Sequence, residues 1–319
     1  RSGARMISRM VVKRNNRFYN AANRFSFGVH QWFGQSQDIR AEQSVSEQKD
    51  YSHVVPRLAS TVLLARDGAD GIEVFMVKRH HKIDFASGAM VFPGGKVDDD
   101  DNDPALKLYS RGGDTMSAEQ FSLAVAALRE TFEECGVLLA RPRGEDNLVS
   151  ASRLLELEPW ATRLRDDEAT MVEFIEAENL DLALDLLVHF AHWVTPPLMP
   201  KRFDTHFYLV AAPEDQVAVH DGSESVDSVW ANPEETIAAA NAKEVTLVFA
   251  TRMNLAKLAF SASTEEAMET ARKAPRVMVS PTLLSFVNGI RKLEIPAEAG
   301  YGGTVFEVLD KPAMPAEKA

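Results

Sequence analysis

Apolar and polar positions divide the chain into blocks of different period. From Leu58 to Ala65 and from Glu73 to Lys78, β-branched and apolar residues flank the turn Arg66 to Gly71, which contains Asp67-Gly68. This pattern predicts strand, turn and strand. A short strand, Ala89 to Phe92, runs into Pro93-Gly94-Gly95, where two glycines permit backbone conformations and close approaches that other residues resist. An acidic, turn-rich stretch from Asp98 to Asp103 and a segment without strong period follow, up to Asp114. Ser117 with Gln120 three positions later forms a capping-box pattern, helical period runs from Ala118 to Glu134, and Gly136 marks the stop.

Beyond Arg143 apolar residues fall mostly three or four apart for about forty residues, through Leu154, Trp160, Leu164, Phe174, Leu180, Leu184 and Val188. A helical insertion over about 142–195 is the expectation. Strands are predicted at Thr205 to Ala211 and Ser225 to Trp230. Helices are predicted at Pro233 to Ala242, Val248 to Ala259 and Thr264 to Lys273, with a shorter one opening at Pro281. Short strands interspersed with helices imply an α+β or layered α/β/α domain rather than a doubly wound one.

The segment from Gln35 to Ser52 is polar and reads as a linker. Residues 1–52 are therefore expected to be a basic tail plus linker, poorly ordered, and residues 53–319 a single enlarged catalytic domain. From Arg1 to Gln37 there are seven Lys or Arg and no acid. That stretch reads as a targeting peptide, a membrane-surface arm or a disordered start. The whole chain nevertheless has a net charge of −12, which opposes non-specific binding to nucleic acid. A hydrophobic fraction of 45% and a charged fraction of 26% are ordinary for a globular protein, and no apolar run approaches the roughly 18 residues that cross a bilayer. The single Cys135 precludes an internal disulfide. Cytoplasm is then the default location, or an organelle if the basic start is an address.

The helix from Ala118 onward carries the candidate chemistry. At about 100° per residue, Phe121, Val125, Leu128 and Phe132 fall within about 60° of one another, an apolar stripe that must face a core. Glu130, Glu133 and Glu134 project from the opposite side as one cluster. Three like charges there call for solvent screening or a counter-cation. Clustered carboxylates suit hard ions such as Mg²⁺ or Mn²⁺. An acidic helix face is also common as a plain solvated surface. Here, however, the helix follows a strand and a Pro-Gly-Gly turn that can bring backbone amides to the same place.

Gly95, followed by Arg129-Glu130-x-x-Glu133-Glu134-x-Gly136-Val137, resembles the Nudix box. The second half is close to the usual form, with Thr131 where an apolar residue is usual. In the first half Asp98 and Asp101 stand where Glu is usual, and about twenty extra residues separate Gly95 from Arg129. A surface loop tolerates such an insertion, placed at about 99–116, because closure entropy grows only logarithmically. The interruption resembles that of the coenzyme A diphosphatase branch. So do Phe92-Pro93-Gly94-Gly95-Lys96-Val97-Asp98, His192-Trp193-Val194-Thr195-Pro196 and Arg202-Phe203-Asp204-Thr205-His206-Phe207.

The resemblance implies a Nudix α/β/α sandwich with a mixed sheet, cleaving a diphosphate in a small nucleotide-derived substrate. Coenzyme A or acyl-coenzyme A is the first expectation; ADP-ribose, a nucleotide sugar or a dinucleotide the next; a non-catalytic nucleotide-binding regulator the rival. It makes Glu130, Glu133 and Glu134 ligands of Mg²⁺ or Mn²⁺. One of them, or a later-loop acid such as Glu224 or Asp227, would be the base. Arg129 is expected to orient the glutamates through charge-assisted hydrogen bonds. Gly94 and Gly95 are expected at the substrate, with Arg79, from the cluster Lys78-Arg79-His80-His81-Lys82, on a phosphate. Lys201-Arg202 is a second basic candidate. Asp98 and Asp101 are candidates for extending the metal shell. Cys135, His189, His192 and Trp193 read as packing residues. The inserted segments are placed to lid the pocket or to form a homodimer contact.

Overall fold

The computed structural model describes residues 50–79, 88–220 and 225–309. Strands β1 (Arg57–Gly68) and β2 (Gly71–Arg79) pair antiparallel, with Gly68 opposite Gly71, so the strands run closer to the turn than the predicted loop allows. On β1 the residues alternate between two cores. Val62 and Leu64 enter one apolar cluster and Leu63 and Ala65 the other, as the two-residue period of a strand covered on both faces requires. Short strands β3 (Met90–Val91) and β4 (Gly94–Lys96) add to β2 and β1. The segment between β4 and the first long helix is turn-rich: 3-10 helices Asp99–Asn102 and Pro104–Tyr109, then β5 (Ser110–Arg111).

Helix α1 (Ala118–Cys135) begins where the capping box places it. Ser117 accepts from the Gln120 amide, and Gly136 closes the helix at φ 65. Its burial differs from the single predicted stripe, since the residues from Phe121 to Arg129 are all buried, as are Thr131, Phe132, Glu133 and Cys135. The cause is a second cover. The chain continues through β6 (Ala140–Pro142) to α2 (Ala151–Arg165) and α3 (Met171–Ala177). These helices pack on the side of α1 away from the sheet, with Phe174 stacked on Phe132 at 5.4 Å between ring centroids.

The expectation of helix across 142–195 is corrected here. After α3 the chain forms β7 (Leu180–Ala183) and β8 (Val188–Val194), and β8 is an integral strand of the main sheet. Leucines three or four apart satisfy a helical period, yet Asn179 takes φ 54 and ends the helical run, after which the β-branched and aromatic residues of β8 prefer the sheet. Strands β9 (Phe203–Ala211) and β10 (Ser225–Ala231) complete the core sheet, and helices α4 (Pro233–Asn241), α5 (Phe249–Leu258) and α6 (Thr264–Lys273) follow. With β11 (Met278–Val279) the sheet has the order β10-β2-β1-β9-β8-β11. The β1–β9 and β8–β11 pairs are parallel. Helix α1 covers one face and α5 and α6 the other, a layered α/β/α arrangement with a mixed sheet.

A helix opening at Pro281 is also corrected. Strands β12 (Thr282–Val287), β13 (Ile290–Glu294) and β14 (Val305–Leu309) form a separate antiparallel sheet. Its first hairpin turns on Asn288-Gly289, both at positive φ, the dipeptide suited to a two-residue turn. Among the described residues no helix is long and apolar enough to cross a membrane.

Candidate active site

Four residues of the Pro-Gly-Gly region and α1 lock together. The Gly94 amide donates to Glu134 Oε2 at 2.9 Å. Gly94 lies at φ 149, and a Cβ there would sit 2.2 Å from the Ser60 carbonyl oxygen. A Cβ on Gly95 would sit 2.2 Å from Glu130 Oε1. Both positions are therefore glycine because the turn lies against β1 on one side and the glutamates of α1 on the other.

Arg129 is the centre of the charge network. It makes a two-pronged pair with Asp101, Nε to Oδ1 and Nη2 to Oδ2 both at 2.9 Å. Nη2 also donates to the Lys96 carbonyl at 2.9 Å and lies 3.2 Å from Asp98. Nη1 reaches Glu130 at 3.1 Å and Glu133 at 3.3 Å. Burial works against the guanidinium charge, yet Asp101, then Glu130 and Glu133, holds it above its ordinary value. Arg129 thus orients two of the box glutamates and is itself fixed from beneath by a buried acid. Asp101, only 1% exposed, is spent on that support rather than turned to a metal, whereas Asp98 is half-exposed and lines the cavity. Thr131, in the position usually apolar, is buried and returns its hydroxyl to the Ala127 carbonyl at 2.7 Å, which satisfies the hydroxyl inside the core.

Four carboxylates (Asp98, Asp101, Glu130 and Glu133) share this one guanidinium. Burial pushes the Glu133 carboxyl up to about 7, with Arg129 pulling the other way. Glu130 is also raised, by burial first, and the neighbouring Glu133 charge adds to it. The three box glutamates do not converge on one point: Glu130 and Glu133 turn to Arg129 and Glu134 to the Gly94 amide. Among the described residues, four carboxylates on one guanidinium fit a hard divalent ion such as Mg²⁺ or Mn²⁺.

These groups open into a cavity of about 1140 Å³. Arg79, Lys96 and Asp98 line it near the glutamates, together with Arg165 and Asp167 from the end of α2. Leu247, Phe249, Leu283, Leu293 and Val308 form an apolar part of its lining, some of it contributed by the β12–β14 sheet. Arg79 keeps a buried Nε without a hydrogen-bond partner among the described residues. His80, His81, Lys82 and Glu224 lie outside the described residues.

Other sequence candidates are placed elsewhere. Asp227 is exposed on β10 and does not line the cavity. Arg202 donates to the Thr195 and Val54 carbonyls at 3.0 and 2.8 Å, a clasp on the entry to β9, and it too is outside the cavity lining. Cys135 is buried in the core. Trp193 is buried, with its indole donating to Tyr301 at 2.7 Å. His189 and His192 are half-buried beside His206, and burial first, then neighbouring imidazoles, holds His189 at about 3 and His206 at about 4. Asp167 was not singled out by any sequence pattern. Its positive φ of 55 belongs to a turn residue, and the only sequence sign was an Asp-Asp-Glu stretch after a helix.

The family model described as NUDT19 Nudix domain matches residues 107–258, the span that holds α1, the inserted helices and strands β8 to β10. A solved Nudix hydrolase from Alicyclobacillus acidocaldarius superposes with a TM-score of 0.59 at 29% identity, covering 69% of this chain and 99% of that one. By these matches the chain resembles the Nudix hydrolases. Among curated Nudix relatives, the acyl-coenzyme A diphosphatase NUDT19 of Homo sapiens is 29% identical over 220 residues, 56% of this chain and 58% of that one. The Gallus gallus protein of the same name is 26% identical over 246 residues, 60% of this chain and 65% of its own. The chain therefore spans less than two thirds of the length of either. The split Nudix-like motif, Gly95 and then Arg129 to Gly136, is reunited in space by the contacts of Arg129 with Lys96 and of Glu134 with Gly94.

Proposed function

We propose that this protein hydrolyses the diphosphate of coenzyme A or an acyl-coenzyme A with the help of Mg²⁺ or Mn²⁺, yielding 3′,5′-ADP and a phosphopantetheine or its acyl derivative. The observation that carries the reading is a large cavity lined both by the carboxylates Glu130, Glu133 and Glu134 and by a set of apolar side chains. A cavity of about 1140 Å³ suits a ligand larger than a simple nucleotide, since sites for drug-sized molecules span roughly 300–1,000 Å³. The relatives that bear the name acyl-coenzyme A diphosphatase support the same substrate class.

In this reading the diphosphate lies beside the Gly94-Gly95 turn and the glutamates packed against it. Arg79, whose buried Nε has no partner among the described residues, holds a phosphate by a charge-assisted hydrogen bond. Arg129 keeps Glu130 and Glu133 in place. A divalent ion held by Glu130, Glu133 and Glu134 would neutralise phosphate oxygens and acidify the attacking water. Water oxygen bonds to phosphorus, the bridging phosphorus–oxygen bond breaks, and a cavity carboxylate takes the proton.

The test is product release by the purified protein with Mg²⁺ or Mn²⁺ against coenzyme A, acyl-coenzyme A, ADP-ribose, NADH, diadenosine polyphosphates and nucleotide sugars, with Glu133→Gln alongside. Metal-dependent cleavage of coenzyme A compounds, lost in the variant, is expected. Preferential turnover of another member would replace the substrate class; nucleotide binding without turnover on any member would replace the enzyme reading with a regulatory one.

A further inference from the structure

A second cluster of chemistry-bearing side chains lies on the opposite face of the sheet from the cavity. In β8 and β9 His192 stands directly across from His206, and Asp204 is two positions from His206 on the same strand. A strand's two-residue period therefore puts Asp204 and His206 on one face. Their alternates, Phe203, Thr205 and Phe207, and the Trp193 beside His192, line the Nudix cavity on the other face.

The three side chains converge. His192 Nε2 lies 2.5 Å from Asp204 Oδ1, and His206 Nε2 lies 3.8 Å from the same oxygen. One ligand atom from each residue falls within 4.8 Å of the other two. The His192 and His206 rings stack at 4.0 Å between centroids. Side-chain exposures of 20%, 29% and 15% for His192, Asp204 and His206 leave an entry path for a small ion while excluding most bulk water. Behind them, His206 Nδ1 and His189 Nε2 are 3.2 Å apart. A ring nitrogen directed at the carboxylate, with its opposite nitrogen tied to a second polar group, is how a metal-ligating histidine is usually oriented.

We propose that His192, Asp204 and His206 form a second metal site in this protein, with His189 positioning the His206 ring. Two imidazole nitrogens and one carboxylate oxygen are the donor set of a borderline transition-metal ion such as Zn²⁺ or Co²⁺. The all-carboxylate set of the Nudix box selects harder ions. Three protein ligands leave a position for water. Bound here, the ion would tie β8 to β9 at the point where their other face forms the cavity wall.

The experiment uses the full chain stripped with chelator and then titrated with Co²⁺. Visible absorption reports a nitrogen and oxygen ligand field, and Zn²⁺ is used to displace the Co²⁺. One equivalent of Co²⁺ with a visible band is expected, both in the wild type and in Glu133→Gln, which disables only the box. Asp204→Asn and His206→Gln should lose the band or bind at least about tenfold more weakly, and His189→Phe should weaken binding by about tenfold. X-ray absorption at the zinc edge of the wild-type chain needs no variant and should show scattering from two imidazoles. A shell of oxygen only, no visible band, or a band that persists in Asp204→Asn and His206→Gln would each overturn the proposal. None of these readouts depends on diphosphate turnover, so failure of the substrate assignment leaves this test intact.

Discussion

Removing the Glu133 charge should make the metal-free protein more stable even as it disables the site. Glu133 has a side chain 7% exposed, and burial lifts its carboxyl from 4.5 to about 7. A carboxyl with a raised folded-state pKa binds its proton more tightly when folded, so between those two values the folded state holds the extra proton. Stability therefore falls as pH rises through about 4.5 to 7 and levels off above. At 1.36 kcal/mol for each pKa unit the loss is about 3 kcal/mol, a large share of the roughly 5–15 kcal/mol that holds a domain together. Glu133→Gln nearly preserves volume and leaves an amide oxygen to accept from Arg129, yet it has no proton to lose. In chelator at about pH 8 the variant should exceed the wild type by up to about 3 kcal/mol, and near pH 4.5 the two should coincide. Added Mg²⁺ should stabilise the wild type and leave the variant nearly unchanged. Urea denaturation followed by circular dichroism across this range measures all three. Parallel stability curves, or a variant less stable at about pH 8, would refute the account of Glu133 as a buried charge in want of a cation.

Three further outcomes follow from the same geometry. Gly95→Ala places a methyl group 2.2 Å from the present position of Glu130 Oε1, and displacement of that carboxylate by about 1 Å should lower kcat about a hundredfold, with little change in far-ultraviolet circular dichroism. Arg129→Gln strands the buried Asp101 and should cost about 3–5 kcal/mol in urea unfolding. An unchanged midpoint would show that the acid is satisfied without it. Arg79→Gln should raise KM for a diphosphate substrate about tenfold or more, the loss of one charge-assisted contact, and an unaltered KM would remove Arg79 from the phosphate site.

The elements of the catalytic half were legible because each carries a local signal. Ser117 and Gln120 fix the start of α1, Gly136 fixes its end, and the Gly94-Gly95 pair reports a turn that must approach other backbone. What escaped depends on residues distant in sequence. Burial of α1 on its second side comes from Phe174, more than forty positions from Phe132. Leucine spacing from Leu180 to Val188 fits a helix or a strand equally well, and pairing with β9 decides it. His192 reads as a packing residue and His206 only as part of the Arg202 to Phe207 motif until the β8–β9 register sets them opposite each other. The β12–β13 hairpin is a different matter, because Asn288-Gly289 advertised it locally and the apolar run after Pro281 was read with the wrong period.

A box split by so long an insertion still closes because its two halves are fastened by contacts that do not depend on the length between them. Relative to the usual spacing, the longer loop adds only about 0.8 kcal/mol of closure entropy under a logarithmic law. Against this stand the Arg129 donation to the Lys96 carbonyl and the Gly94 amide donation to Glu134, each charge-assisted and worth about 1.5–3 kcal/mol. The insertion also returns something to the site. Its first turn carries Asp101 under Arg129, where the paired hydrogen bonds fix the guanidinium plane and, through it, the positions of Glu130 and Glu133. Added length in this loop is therefore nearly neutral, whereas the identity of Asp101 is not. Inserting a short Gly-Ser stretch at the exposed Asp114-Thr115 should be tolerated far better than Asp101→Ala, which removes both hydrogen bonds at once and frees the arginine that holds the glutamates.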